Sequence, residues 1–288
     1  MFALEENHSS RRRPLNVVVA LLSALALAGV SALALRHGAS PKPVVLVPQA
    51  TTTVTCGQTI TVSIVVGNDL TCATGNGLNV GHASIIINLN GHTFTGNVSS
   101  VGIENFGFSA VTVENGTVSG WFTGVETYGS TNKLTGLRAS QNSSRGLALI
   151  GGSGSTALNN VSFKNGVGIR ATGQNVKVVS NTVRENTGDG ILVEAATGTV
   201  VQTNQAENNG SNGIENGAYL TTMTGNVTNA NASDGVRSVS ELAASIATTT
   251  ANYNGAYGIE GAPGGKDGGG DTAKGNGQAT QCKDVVCS

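Results

Sequence analysis

The chain has 288 residues, a formal net charge of −1, 11% charged and 4% aromatic residues, and 41 glycines. It has no excess of basic residues with which to neutralise phosphates, and this excludes nucleic acid as its partner. Disordered chains lack β-branched residues and carry more charge, whereas Val, Ile and Leu recur here at regular places. The composition therefore predicts an ordered, turn-rich β protein.

Residues 1–40 predict an export segment that is not part of the fold. Arg11–Arg13 precede an uncharged run over 17–35, which is the pattern of a signal peptide. Ala32-Leu33-Ala34 offers a small-x-small cleavage site. A run of this length also spans a bilayer as an uncleaved N-terminal membrane anchor, so both alternatives stay open. Either one makes the rest of the protein secreted or otherwise extracytoplasmic.

A proline-containing stretch over 41–52 predicts an extended linker, followed by a single domain over 53–288. The four cysteines lie close to the two ends of this domain, at Cys56, Cys72, Cys282 and Cys287. Three pairings are open, and the two local ones close the shortest loops. The spacing does not suit a zinc site, so the cysteines predict disulfides that staple the two ends.

One landmark, a glycine followed by an aliphatic residue, recurs every 22 or 23 residues: Gly102, Gly124, Gly146, Gly168, Gly190, Gly213, Gly235 and Gly258. We call these the coil glycines. Two further landmarks, mostly asparagines, keep the same period: Asn115, Gly136, Asn160, Asn181, Asn204, Asn226 and Thr249, and Asn142, Asn165, Asn186, Asn208, Asn231, Asn254 and Asn276. A period of this size indicates a repeat architecture.

Each repeat contains two or three runs of alternating apolar residues and no helical stripe, so it predicts one turn of a parallel β-helix. We expect about nine or ten coils and a solenoid roughly 45 Å long at one strand spacing per coil. The residue after each coil glycine should point inward, and the corner asparagines should stack into amide ladders. The segments around the cysteines depart from the period and are expected to cap the exposed strand edges.

With this period, the Asp-Gly-Ile and Asn-Gly-Ile coil openings and the segment IIINLNGHTFTG over 85–96, the chain resembles the right-handed parallel β-helix repeat proteins of the pectin-lyase-like superfamily. The resemblance covers roughly residues 53–288. It implies an all-β right-handed solenoid. It does not select an activity, because that superfamily includes polysaccharide lyases, hydrolases, uronate epimerases and adhesive proteins. The short catalytic segments of polygalacturonase-like and alginate-epimerase-like members do not occur in the sequence.

The outward face of the strand after each coil glycine is the predicted functional surface. Glu104 and Glu126 should be neighbours on adjacent coils, about 5 Å apart, near the separation of a retaining glycosidase pair. Aromatic side chains that stack on sugar rings, and a carboxylate that binds their polar edges, are predicted as substrate contacts: Phe106, Trp121, Tyr128 and Glu215. The rival interpretation is an ordinary solvated strand face.

By analogy with pectate-lyase-like members, Arg170 or Arg237 would be the base of a lyase. Those members also bind calcium, but Asp189 and Asp234 lie on coils that are not adjacent, so no metal site and no cofactor are predicted. The sequence thus predicts contact with extracellular or envelope polysaccharide, with glycan cleavage as an added hypothesis. The alternative is a non-catalytic structural or adhesive surface protein. A membrane is expected as a partner only through an N-terminal anchor.

Overall fold

A computed structural model describes residues 50–239 and 244–288. The predicted export segment over 1–40 and most of the predicted linker lie outside these residues. Within them, no helix has the length and hydropathy that a membrane span requires.

All regular structure in the described residues is β-strand. In chain order the strands are β1 Gln58–Ile60, β2 Ile64–Val65, β3 Leu70–Thr71, β4 Leu78–Val80, β5 Ile86–Asn88, β6 Thr93–Thr95, β7 Val101–Phe106, β8 Thr112–Ser119, β9 Thr123–Tyr128, β10 Lys133–Ser140, β11 Arg145–Ile150, β12 Thr156–Leu158, β13 Val161–Phe163, β14 Val167–Gln174, β15 Lys177–Val179, β16 Thr182–Arg184, β17 Ile191–Thr197, β18 Val200–Gln202, β19 Gln205–Glu207, β20 Ile214–Asn216, β21 Thr222–Thr224, β22 Val227–Asn229, β23 Val236–Ser238, β24 Ser245–Ala247, β25 Thr250–Asn252, β26 Ile259–Glu260, β27 Lys266–Gly269, β28 Thr272–Lys274 and β29 Cys282–Lys283.

The strands form three parallel sheets that wind into a right-handed β-helix of about ten turns, as the sequence predicts. The first sheet has 11 strands in the order β1-β4-β7-β9-β11-β14-β17-β20-β23-β26-β29. The second follows β2, β5, β8, β10, β12, β15, β18, β21, β24 and β27, and the third follows β3, β6, β8, β10, β13, β16, β19, β22, β25 and β28. The long strands β8 and β10 each contribute to the second and third sheets.

The core is a set of aliphatic columns that run along the solenoid axis. The residue after each coil glycine is fully buried, which confirms its predicted inward direction: Ile103, Val125, Leu147, Ile169, Ile191, Ile214, Val236 and Ile259. These residues are in register from coil to coil, so each one packs against its equivalent above and below. Burial of these columns stabilises the coils by about 25 cal/mol for each Å² of apolar surface removed from water.

Two asparagine ladders run inside the corners. The first contains Asn160, Asn181, Asn204 and Asn226, and the second Asn142, Asn165, Asn186, Asn209, Asn231, Asn254 and Asn276. Within each ladder the side-chain Nδ2 donates to the Oδ1 of the next coil at 2.9–3.1 Å. The same Oδ1 also accepts the backbone N–H of the preceding ladder residue. The ladders therefore satisfy amides that would otherwise be buried without partners.

For two asparagines the predicted place in a ladder is wrong. Asn115 and Asn208 are exposed and have left-handed backbone, with φ of 59° and 55°. They occupy the corner position just before the ladder, where asparagine tolerates positive φ. Asn209, and not Asn208, accepts the hydrogen bonds of Asn186. The same two-residue corner, one left-handed residue and then one ladder residue, repeats along the solenoid.

Both predicted disulfides are present. Cys56 pairs with Cys72 at a Cα–Cα distance of 5.8 Å, and Cys282 pairs with Cys287 at 6.2 Å. Cys56 lies in the turn that leads into β1, the first strand of the first sheet, and Cys282 lies in β29, its last strand. The disulfides therefore tie down the two ends at which a solenoid would otherwise expose unpaired strand edges.

Candidate functional site

The outward side of the first sheet carries a single in-register column of side chains, which we call the outer column. It consists of the second residue after each coil glycine, extended into both caps: Thr59, Asn79, Glu104, Glu126, Ala148, Arg170, Leu192, Glu215, Arg237, Glu260 and Lys283. Because strand neighbours lie about 4.8 Å apart, consecutive members contact each other. The predicted alignment of these residues on one face is therefore correct.

Glu104 and Glu126 lie side by side on β7 and β9. Each is only 9% exposed, so the two side chains are largely buried at this face and are not freely solvated. Asn76 donates a hydrogen bond to Glu104, and Arg145 Nη1 lies 3.4 Å from Glu126 Oε1. Burial raises the pKa of Glu104, the hydrogen bond from Asn76 opposes this, and the charge of Glu126 adds to it. The two carboxyl groups thus have different partners and different electrostatic environments.

Two aromatic side chains stand next to this pair. Phe106 and Tyr128 are in register two residues beyond Glu104 and Glu126, and Ile150 follows on the next coil. Phe106 is 70% exposed and Tyr128 is half-buried. Burial and the two neighbouring glutamates raise the pKa of the Tyr128 phenol. We call Phe106 and Tyr128 the aromatic shelf. An apolar surface beside two carboxylates suits a polar ligand that has one apolar face.

Trp121, which the sequence predicts as a substrate contact, is fully buried and belongs to the core. Its Nε1 donates to the carbonyl oxygen of Phe94 at 3.0 Å. A Cβ atom on Gly96 would fall 2.2 Å from the indole ring, and Gly77 and Gly102 also approach the ring closely. The indole therefore fills the space left by three glycines. It is unable to reach a ligand, and that part of the prediction is wrong.

The C-terminal part of the outer column is a chain of ion pairs. Arg237 binds Glu215 at 3.0 Å and Glu260 at 3.2 Å, and Lys283 binds Glu260 at 2.7 Å. The charge of Glu215 raises the pKa of Arg237. A guanidinium that holds its proton more tightly is a poor base, so the structure argues against the lyase role suggested for Arg237. Arg170 is likewise engaged, in an ion pair with Glu194.

A second polar column borders these ion pairs and was not predicted. It contains Asp189, Asn212 and Asp234, each of which directly precedes a coil glycine. The Oδ1 of each one accepts a backbone N–H from the following coil, at 2.7–3.0 Å. Asn212 also donates to Glu215 at 2.8 Å. The sequence could have indicated this column, because a short polar residue occurs at the same position in three consecutive repeats. Their role is to join coils.

Glu215 is the most strongly perturbed group of this cluster. Its pKa is raised to about 7 because the carboxyl is desolvated; Arg237 opposes the shift, while Asp189 and Asp234 add to it. A carboxyl with a raised pKa stabilises the fold fully below its ordinary value of 4.5, and this contribution is lost as the pH rises through about 7.

We expect Glu215→Gln to remove this pH dependence. Between about pH 4 and about pH 8, the free energy of unfolding of the variant should rise relative to the wild type by up to about 3 kcal/mol. Chemical denaturation at a series of pH values measures the difference. Glu207→Gln, at a half-buried glutamate of the third sheet, is the control. Parallel pH profiles for wild type and Glu215→Gln would contradict the assignment.

An open groove of about 530 Å³ runs along the ends of β14 and β17 and the turns that follow the neighbouring first-sheet strands. Its lining is small and polar: Ser130, Gly152, Ser153, Gly173, Gln174, Ala195, Ala196 and Thr197. It holds no titratable side chain. Across residues 50–239 and 244–288, no three His, Cys, Asp or Glu side chains are arranged to hold a metal ion.

Residues 76–226 match the family model of the right handed beta helix region, and the chain belongs to this family. The fold is similar to the A-module of the Azotobacter vinelandii mannuronan C-5 epimerase AlgE6, at 14% identity and a TM-score of 0.57, covering 81% of this chain and 79% of that one. A search of curated proteins finds no significant match.

Two further similar structures have lower TM-scores. Pectate lyase Pel9A has a TM-score of 0.46 and 19% identity, covering 83% of this chain and 66% of its own. The enzymatically active domain of bacteriophage CBA120 tailspike protein 2 has a TM-score of 0.48 and 11% identity, covering 77% of this chain and 38% of its own. At these identities the likeness extends to the fold alone, a parallel β-solenoid.

Proposed function

We propose that the protein binds an extended polysaccharide along the outward face of the first sheet, across the coils of Glu104, Glu126 and Ile150. The observation that carries this proposal is the aromatic shelf of exposed Phe106 and half-buried Tyr128, in register with a pair of carboxylates on adjacent strands. Aromatic faces pack against the apolar faces of sugar rings, and carboxylates accept hydrogen bonds from sugar hydroxyls. A mannuronan epimerase has the same architecture, and this favours a polysaccharide ligand.

The same pair supports a second proposal, cleavage of the glycosidic bond. Glycosidases use two carboxyl groups, of which one must be protonated to act as the acid. Glu104 is the candidate acid because burial raises its pKa. Glu126, with Arg145 beside it, is the candidate nucleophile or base. Strand neighbours place the two side chains at about the separation of a retaining pair.

We further propose that the solenoid over 53–288 is an extracytoplasmic domain. It has two disulfides, and disulfides persist in oxidising compartments. In this proposal residues 1–40 form the export segment or membrane anchor and 41–52 the linker.

Phe106→Ala and Glu126→Gln separate binding from cleavage. We expect Phe106→Ala to weaken binding of a bound oligosaccharide about fivefold, because a stacking contact of about 1 kcal/mol is lost. We expect Glu126→Gln to keep its binding, because the amide oxygen still accepts hydrogen bonds, and to reduce turnover at least about a hundredfold. The 41–288 chain is tested with a polysaccharide panel that includes uronates, with and without calcium. Binding is followed by calorimetry, and products by mass and by absorbance of unsaturated uronates.

Tyr219→Ala is the matched control, because Tyr219 is an exposed aromatic residue away from the shelf, 51% exposed. Binding that Phe106→Ala leaves unchanged would contradict the proposed surface. Turnover that survives in Glu126→Gln would contradict the proposed acid–nucleophile pair. Binding without turnover in any form would favour the non-catalytic, adhesive alternative.

A further inference from the structure

The cations on the proposed polysaccharide face are all engaged by carboxylates. Among the described residues, the strands and turns of this face carry four basic side chains: Arg145, Arg170, Arg237 and Lys283. Arg145 forms an ion pair with Glu126, and Arg170 forms one with Glu194. Arg237 pairs with both Glu215 and Glu260, and Lys283 pairs with Glu260. A polyuronate would have to break these pairs in order to find a positive partner for its carboxylates, and each broken pair leaves a partly desolvated charge behind.

Carboxylates are in excess on the same face. The acidic residues there are Glu104, Glu126, Asp189, Glu194, Glu215, Asp234 and Glu260. Against the four basic side chains this leaves a formal excess of three negative charges when every carboxyl is ionised, and of two below about pH 7, where Glu215 is protonated. A face of one sign repels like-charged polymers and attracts oppositely charged ones over about a Debye length, which is about 10 Å at 0.1 M salt.

Glu104 is the member of this set that lies next to the aromatic shelf and has no basic partner within the described part of the chain. Within the protein, its hydrogen-bond partner is the neutral side-chain amide of Asn76. Glu126 beside it pairs with one cation, Arg145. The shelf of Phe106 and Tyr128 is thus flanked by two carboxylates that have one positive charge between them. A positive group on the ligand would complete this arrangement.

We infer that the ligand is a polysaccharide with free amino groups, a polymer of amino sugars, and not a polyuronate. The inference rests on the proposed function and specifies its substrate class. The sugar ring stacks on Phe106 or Tyr128, and its ammonium group pairs with the carboxylate of Glu104. A positive charge held there favours the ionised carboxyl, so this pairing and the acid role of Glu104 in cleavage are alternatives. The similar fold of a mannuronan epimerase shows the architecture alone, whereas the ligand's charge is set by the side chains of this face.

The test compares three oligosaccharides of equal length by calorimetry, in one buffer of slightly acidic pH: glucosamine oligomers, their N-acetylated form and galacturonate oligomers. We expect the glucosamine oligomer to bind at least about tenfold more tightly than the galacturonate oligomer, with the N-acetylated form between them. Raising the ionic strength should weaken the binding of the glucosamine oligomer and leave that of the N-acetylated form unchanged.

Glu104→Gln should reduce affinity for the glucosamine oligomer about fivefold and leave the N-acetylated oligomer unaffected. Glu114→Gln is the matched control, because Glu114 also accepts a hydrogen bond from an asparagine, Asn88, at 2.9 Å, but on the second sheet. Equal or tighter binding of the galacturonate oligomer would overturn the inference and leave the proposed function in place. The same holds if the N-acetylated form binds as tightly as the amine. Failure of every oligosaccharide to bind would overturn the proposed function itself.

Discussion

Replacing Asn209 with alanine is expected to lower the free energy of unfolding by about 4 kcal/mol. The Oδ1 of Asn209 accepts hydrogen bonds from the backbone N–H of Asn186 at 3.2 Å and from the Nδ2 of Asn186 at 3.0 Å. It donates to Asn231 Oδ1 at 2.9 Å and to the carbonyl oxygen of Val183 at 3.3 Å. Alanine would leave these groups without partners at a position where water does not reach, and each such group costs about 1–3 kcal/mol. Guanidinium denaturation followed by circular dichroism measures the loss.

The neighbouring asparagine is the control for this experiment. Asn208 is exposed and has a φ of 55°. Glycine adopts this conformation freely, so Asn208→Gly should change the stability by less than about 0.5 kcal/mol. A large loss for Asn208→Gly, or a small one for Asn209→Ala, would mean that the ladder is offset by one residue from its position in the structure.

Trp121→Ala is the second substitution with a large expected effect, about 4 kcal/mol of lost stability. The indole is fully buried and packs against glycines of the neighbouring coils. Those glycines have no side chains that could move into the cavity, so the site collapses poorly. The carbonyl oxygen of Phe94 also loses its hydrogen bond from the indole. The measurement is thermal and chemical denaturation of the variant.

Phe122, next in the chain and 46% exposed, supplies the comparison. Phe122→Ala should cost less than about 1 kcal/mol. If Trp121→Ala retained stability and instead abolished glycan binding, the assignment of Trp121 to the core would be wrong and its sequence-based role as a ligand contact would return.

The two proposals about function depend on different parts of one face. Binding depends on the aromatic shelf of Phe106 and Tyr128, and the substrate class depends on the unbalanced charge at Glu104. In the C-terminal half, Arg237 already pairs with Glu215 and Glu260, and Lys283 already pairs with Glu260. A ligand gains least there, because each contact would replace an existing one. We therefore expect bound glycan to be centred on the N-terminal half.

The sequence alone determined the solenoid, its period, the inward aliphatic column and the place of the cysteines at its two ends. These were predictable because equivalent residues stack directly on one another, so a contact in space appears as a repeat in the chain. Glu104 and Glu126 were placed together for the same reason: one strand spacing separates residues that are 22 positions apart. Whether any of the predicted site residues bind or cleave a glycan stays a prediction.

Only the tertiary structure decided which member of an asparagine pair joins the ladder, where Trp121 points and which charges are already paired. Asn208 and Asn209 are the same residue type one position apart, and only the backbone conformation at the corner separates them. Trp121 is buried because Gly77, Gly96 and Gly102, distant in sequence, leave room for its ring. Arg237 is bound by Glu215 and Glu260 from the coils on either side. Such outcomes depend on side-chain volumes and charges contributed by neighbouring coils, which the repeat pattern does not contain.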